Sequence, residues 1–166
     1  MTGGWSGYLE YSSDTSVIIE GWTRGFPPDI FPGVWVKIEE LIDGGVLVAT
    51  EEVLIELARK HDKAYEWASK HKHMFIPTDE KIQQAVRGIL RDHKKLIDTR
   101  RNRSGADPFV IALALVKNLT VVTAENLSNS PERPKIPDVC EALGIRWLNM
   151  IELFRERGWQ FWETSV

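Results

Sequence analysis

The chain has 166 residues, 43% of them hydrophobic and 27% charged, which suits one domain with a proper apolar core. A net charge of −3 speaks against a nucleic-acid binder driven by overall charge, and a single cysteine, Cys140, excludes an internal disulfide. The opening MTGGWSGYLEY lacks a basic segment followed by an apolar one, and no apolar run reaches the roughly 18 residues that span a bilayer, so a cytoplasmic protein without a membrane part is expected.

In chain order, residues 8–13 (YLEYSS) read as a first strand, polar for a central position because of Glu10. SVIIEGW reads as a short helix that stops in the Gly/Pro-rich loop of residues 21–33. VWVKIEELID has helical spacing at Val34, Ile38, Leu41 and Ile42, and Gly44-Gly45 ends it. VLVA (46–49) is a second strand, after which Thr50 can cap EEVLIELARK, with YEWASKH continuing the helix. HMFIP (73–77) is a third strand, and residues 79–95 form a helix with Ile82, Val86, Ile89 and Leu90 on its apolar side. Residues 91–103 carry six Lys/Arg against two Asp. DPFVIALALVKN follows as a helix in which Asp107 can cap and Pro108 suits the first turn. TVVT (120–123) is a strand, KIPDVCEALGI a helix with a glycine stop, and IRWLNM (145–150) a last strand. An aromatic C-terminal helix, 149–162, is expected to pack on a core of about residues 8–148 within a single domain, 1–166.

Strands alternating with helices at this spacing indicate an α/β fold with a parallel sheet, and ligands of such sheets gather beyond the carboxyl ends of the strands. Four acids fall there. Asp14 follows the first strand, Glu56 lies in the helix after the second, Asp107 opens the helix before the fourth, and Glu125 follows the fourth. Like charges about 4 Å apart repel by roughly 4 kcal/mol near a protein surface, so a cluster of four calls for a cation. All-oxygen ligands favour Mg²⁺ or Mn²⁺, which can activate a water toward a phosphodiester.

Asp14-Thr15-Ser16-Val17, Val53-Leu54-Ile55-Glu56-Leu57, Ala106-Asp107 through Ala114, and Val121 to Glu125 together resemble the motifs of the PIN-domain nucleases, in their order and spacing. KIPDVCEALGI is similar to a PIN-like subgroup of poorly described function. The resemblance implies a three-layer α/β/α sandwich around a parallel sheet. It implies a Mg²⁺- or Mn²⁺-dependent ribonuclease, commonly the toxin of a bacterial toxin–antitoxin pair (VapC-like). RNA, a cognate antitoxin and a second copy in a homodimer are the partners it implies. Asp14, Glu56 and Asp107 match the core acids, and Glu125 stands where the family usually has Asp. Thr15, Ser16 and Thr123 match hydroxyl residues that support the metal shell.

Other readings stand beside these. Asp14 or Asp107 can serve as a helix cap, Glu56 or Glu125 as a solvated acid, and Glu52 is the alternative to Glu56. Arg100, Arg101 and Arg103 are candidates for phosphate contacts in the basic run. His71 and His73 read as surface residues, since no further soft ligand is spaced to complete a zinc site, and Cys140 reads as core. Trp22 and Trp35, flanking the Pro/Gly-rich loop, can be core or a base-stacking platform. A haloacid-dehalogenase-type phosphatase needs a second Asp two residues after the first, where Ser16 stands. The main alternative to an endoribonuclease is a catalytically weak PIN-fold protein acting as a nucleic-acid- or protein-binding regulatory module.

Overall fold

The structure is a computed structural model and describes residues 9–97 and 105–162. Five parallel strands form one sheet in the order β3-β2-β1-β4-β5, with β1 Tyr11–Ser13, β2 Leu47–Thr50, β3 Phe75–Ile76, β4 Thr120–Val122 and β5 Trp147–Leu148. Eight α-helices lie among the described residues: α1 Thr15–Glu20, α2 Pro32–Asp43, α3 Glu51–Lys60, α4 Lys63–Ser69, α5 Glu80–Asp92, α6 Asp107–Lys117, α7 Ile136–Leu143 and α8 Met150–Arg157. The sheet is central and the fold is the expected three-layer α/β/α sandwich.

Handedness explains the layering. The crossovers from β1 to β2 and from β2 to β3 run toward one edge of the sheet, while those from β3 to β4 and from β4 to β5 run toward the other. Right-handed connections therefore put α1–α4 on one face and α5–α7 on the opposite face. Packing agrees: α6 lies against α5, α7, β1, β2 and β4, whereas α1 meets α3 and α2 covers β2. α8 closes over the α1–α2 side, where Phe154 meets Phe26 at 5.1 Å. Gly21 permits that closure, because a Cβ there would lie 3.1 Å from Met150 Sδ and 3.3 Å from Trp35 Cζ2.

The polar first strand holds the centre of the sheet, pairing with β2 through Tyr11↔Leu47 and with β4 through Ser13↔Val122. Its side chains are buried and their polar atoms are satisfied. Ser12 Oγ donates to the Val110 carbonyl of α6 at 3.1 Å, and Tyr11 Oη donates to Glu156 of α8. Burial, then the Glu156 carboxylate, push the Tyr11 phenol up to about 12. Glu10 precedes the strand and pairs with Arg157 at 3.1 Å.

Several element bounds differ from the sequence expectation. Residues 21–33 are not all loop: a π-helical turn, Gly21–Gly25, extends α1, and α2 begins at Pro32. Of YEWASKH, Tyr65 to Ser69 belong to a separate helix, α4, because His61 takes a left-handed φ of 45° and Asp62 caps α4 by accepting from Tyr65 N. The helix expected over 79–95 ends at Asp92, with a 3₁₀ turn at Lys94–Leu96. The C-terminal helix stops at Arg157 rather than 162, since Gly158 at φ 69° turns the chain and sends Trp159 and Phe161 back onto Phe154. Trp22, Trp35 and Trp67 form one cluster with ring centroids 4.8–5.7 Å apart, so Trp35, 4% exposed, is core rather than a stacking platform.

Candidate functional site

The strand order reverses direction at β1, which makes the carboxyl ends of β1 and β4 the switch point where α/β sheets bind ligands. Asp14 is the first residue past β1, and its amide still donates to Val122 O at 2.9 Å. Its side chain is 2% exposed. Oδ2 accepts from Ser16 Oγ at 2.6 Å and from Thr123 Oγ1, just past β4, at 3.0 Å. The two hydroxyls are themselves anchored: Ser16 Oγ accepts from Ala124 N at 3.0 Å and Thr123 Oγ1 from Glu125 N at 3.1 Å. Asp14 does not cap α1 with its side chain.

Glu56 comes from α3, whose start is set by Thr50 accepting from Glu52 N. Its half-buried carboxylate is held at both oxygens, by Thr15 Oγ1 at 2.5 Å and by Ala106 N at 3.2 Å. The second contact sets it beside Asp107, buried at the first position of α6. Ala106, rather than the Asp107 read from the Asp-Pro pair, occupies the capping position of α6. Glu125 approaches from β4, and its Oε2 accepts from Ile136 N, at the start of α7, at 3.0 Å. Glu52 is half-buried one turn earlier on α3.

The electrostatics follow. Burial pushes Asp14 up to about 6; the Ser16 and Thr123 bonds work against this, and the charges of Glu125 and Glu56 add to it. Burial also raises Glu56, against the stabilising bonds from Thr15 and Ala106 and the charge of Arg59. Asp14 thus senses the charges of both Glu125 and Glu56. The acids do not pack tightly: no three of Asp14, Glu56, Asp107 and Glu125 bring carboxylate oxygens within 4.8 Å of one another. An octahedral ion with ligands at about 2.1 Å spans at most about 4.2 Å between opposite oxygens, so three of these acids do not share one ion directly as they stand. An ion held by one or two carboxylates, with water bridging to the rest, fits this donor set, as Mg²⁺ prefers.

Arg100, Arg101 and Arg103 lie outside the described residues. Two described cations of the basic run have partners: Arg91 pairs with Asp92 and Lys95 with Glu132. Cys140 is fully buried, and burial pushes its thiol up to about 12, which removes it as a nucleophile. Sequence reading alone missed the two backbone donors, Ala106 N and Ile136 N, because neither carries a side-chain signature.

The family description "Domain of unknown function (DUF4411)" matches residues 11–161, nearly the whole chain. The chain belongs to the DUF4411 family. Among curated proteins, none matches this DUF4411 chain significantly. Its fold is similar to a chain of VapBC-1 from nontypeable Haemophilus influenzae, with a TM-score of 0.53 and 15% identity over 85% of this chain and 98% of that one. It is likewise similar to a chain of VapBC2 from Rickettsia felis bound to a DNA fragment from their promoter, with a TM-score of 0.51 and the same identity and coverage. At such identity the likeness is one of fold, and it bears out the PIN-like architecture read from the four motifs. No helix among the described residues of this DUF4411 chain is long and apolar enough to cross a membrane.

Proposed function

We propose that this DUF4411 chain is a Mg²⁺- or Mn²⁺-dependent endoribonuclease, the toxin of a toxin–antitoxin pair. The observation that carries the reading is the clamp at the switch point, where Ser16 and Thr123 hold one oxygen of the buried Asp14 while acids from α3 and the β4–α7 loop bear on it. A carboxylate so placed is costly without a cation, and an all-oxygen set selects a hard one.

Asp14, Glu56, Asp107 and Glu125 would hold the ion. Bound there, it supplies a water of lowered pKa and neutralises charge on the phosphate. The chain's own residues do the rest. Ser16 and Thr123 fix the rotamer of Asp14, Thr15 and Ala106 N fix Glu56, and the Ile136 amide fixes Glu125. Arg100, Arg101 and Arg103 would draw the RNA backbone toward the acids. Cleavage would leave a 5′-phosphate and a 3′-hydroxyl. The antitoxin would occupy the same groove, with an arginine on the carboxylates, and self-association fits the exposed Ile30 and Trp162.

RNA cleavage with and without Mn²⁺ tests this. Asp14→Asn and Asp107→Asn should each lose at least about 100-fold in rate while keeping their secondary structure; undiminished cleavage in either would overturn the assignment. A second reading, a PIN-fold regulatory module, draws support from the spread of the acids and from Glu125 being engaged by the α7 amide. Wild type that binds no Mn²⁺ at calorimetric concentrations would favour it.

A further inference from the structure

At the opposite edge of the sheet lies a second cluster that the nuclease reading does not use. Chain segments enter β2 and β3 side by side, since Ala49 pairs with Phe75 in parallel register. Their amino-terminal approaches are the end of α2, with Asp43, and the turn His71-Lys72-His73. Topology therefore sets Asp43 beside two histidines about thirty residues further along the chain.

From the ligand atoms of Asp43, His71 and His73, which all lie within 4.8 Å of one another, with Glu39 one helical turn before Asp43, we infer a transition-metal site of the Zn²⁺ type at the amino-terminal edge of the sheet. His73 Nε2 is 2.9 Å from Asp43 Oδ1, and His71 Nε2 is 3.4 Å from Glu39 Oε1. Tetrahedral Zn²⁺, with bonds of about 2.0–2.1 Å to nitrogen and oxygen, sets its ligand atoms about 3.3 Å apart, between the observed separations.

The surroundings are those of a supported site. The His71 ring packs on Trp67 with centroids 4.9 Å apart, which leaves its side chain 16% exposed. Trp67 Nε1 donates to Glu39 Oε1 at 2.9 Å, orienting the carboxylate that faces His71 as outer-sphere partners of metal ligands do. The backbone of the turn is fixed by His71 N to Ala68 O and Met74 N to His71 O. Two imidazoles with carboxylates suit Zn²⁺, Co²⁺ or Ni²⁺ better than Mg²⁺, so this site and the all-oxygen one differ in the ions they select. Bound metal would tie the end of α2 to the α4–β3 turn and lock the β2–β3 edge, a structural role.

The test is Co²⁺ titration of chelator-stripped full-length protein, followed by visible d–d absorption, with Zn²⁺ competition and thermal melts. Wild type and Asp14→Asn should each take one Co²⁺ per chain with four-coordinate absorption, be displaced by Zn²⁺, and melt higher with Zn²⁺. His73→Ala and Asp43→Asn, at exposed positions where folding should be unaffected, should each lose at least about tenfold in affinity. The double variant His71→Ala/His73→Ala should lose the absorption altogether. Retained binding in His73→Ala and Asp43→Asn, or no four-coordinate absorption in wild type, would overturn the assignment. Asp14→Asn separates this outcome from failure of the nuclease reading, because it leaves the histidines intact.

Discussion

Asp14 binds its proton more tightly in the folded chain than in the unfolded one, because burial raises it from 3.8 to about 6 and its acidic neighbours add to that. A raised carboxyl pKa contributes stability that is complete below the unfolded value and lost as pH climbs through the folded one. Metal-free wild type should therefore lose stability from about pH 4 to about pH 7, by on the order of 2–3 kcal/mol from this residue. Asp14→Asn keeps an oxygen for Ser16 and Thr123 but carries no charge. Its melting temperature should exceed wild type by several degrees near pH 8 and converge with it near pH 4. Thr15→Val acts in the opposite sense. It removes the hydroxyl that favours ionised Glu56, so it should cost about 1–2 kcal/mol, more at pH 8 than at pH 4.5. Melts at the two pH values check both. The hydroxyl neighbours of Asp14 were legible in the motif D-T-S, but the division of labour, Thr15 to Glu56 and Ser16 to Asp14, depends on which way α1 turns off the strand.

Elements place these residues, and α7 illustrates how far the dependence reaches. The Asp138 carboxylate accepts from Lys135 N at 2.7 Å, from Ser128 Oγ at 2.7 Å, and from the amides of Ser128 and Asn129. Burial opposes ionisation there, yet these donors win and hold its pKa low. The same helix start presents Ile136 N to Glu125. Asp138→Ala should cost about 2 kcal/mol and also free Glu125, so amide exchange should speed up at Ser128, Asn129 and Ile136 together. Unchanged exchange at Ile136 would show that the two contacts are independent. At this scale the sequence was readable where caps and periodicity speak, as at Thr50 and Gly144. It was unreadable where one left-handed residue decides: nothing local requires φ 45° at His61, and that angle splits α3 from α4.

For the whole molecule, the sheet order separates two donor sets, acids at the carboxyl edge and a His-His-Asp group at the amino edge. The first set was legible because each acid sits in its own motif beside a strand end. The second was not, because Asp43 meets His71 and His73 only through the pairing of β2 with β3. The separation yields a linkage prediction. A cation at the acids competes with the proton on Asp14, so its stabilising effect must grow as pH rises through about 6. At 100 times its dissociation constant a ligand stabilises by about 2.7 kcal/mol, or roughly 5–10 °C for a domain of this size. Mn²⁺ should therefore raise the melting temperature near pH 8 by about that much, and near pH 5 by far less. The increment should vanish in Asp14→Asn. It should persist in His71→Ala/His73→Ala, whose lost ligands serve softer ions. An Mn²⁺ shift that survives Asp14→Asn and disappears with the histidines would assign the cation to the amino edge and leave the buried acids without one.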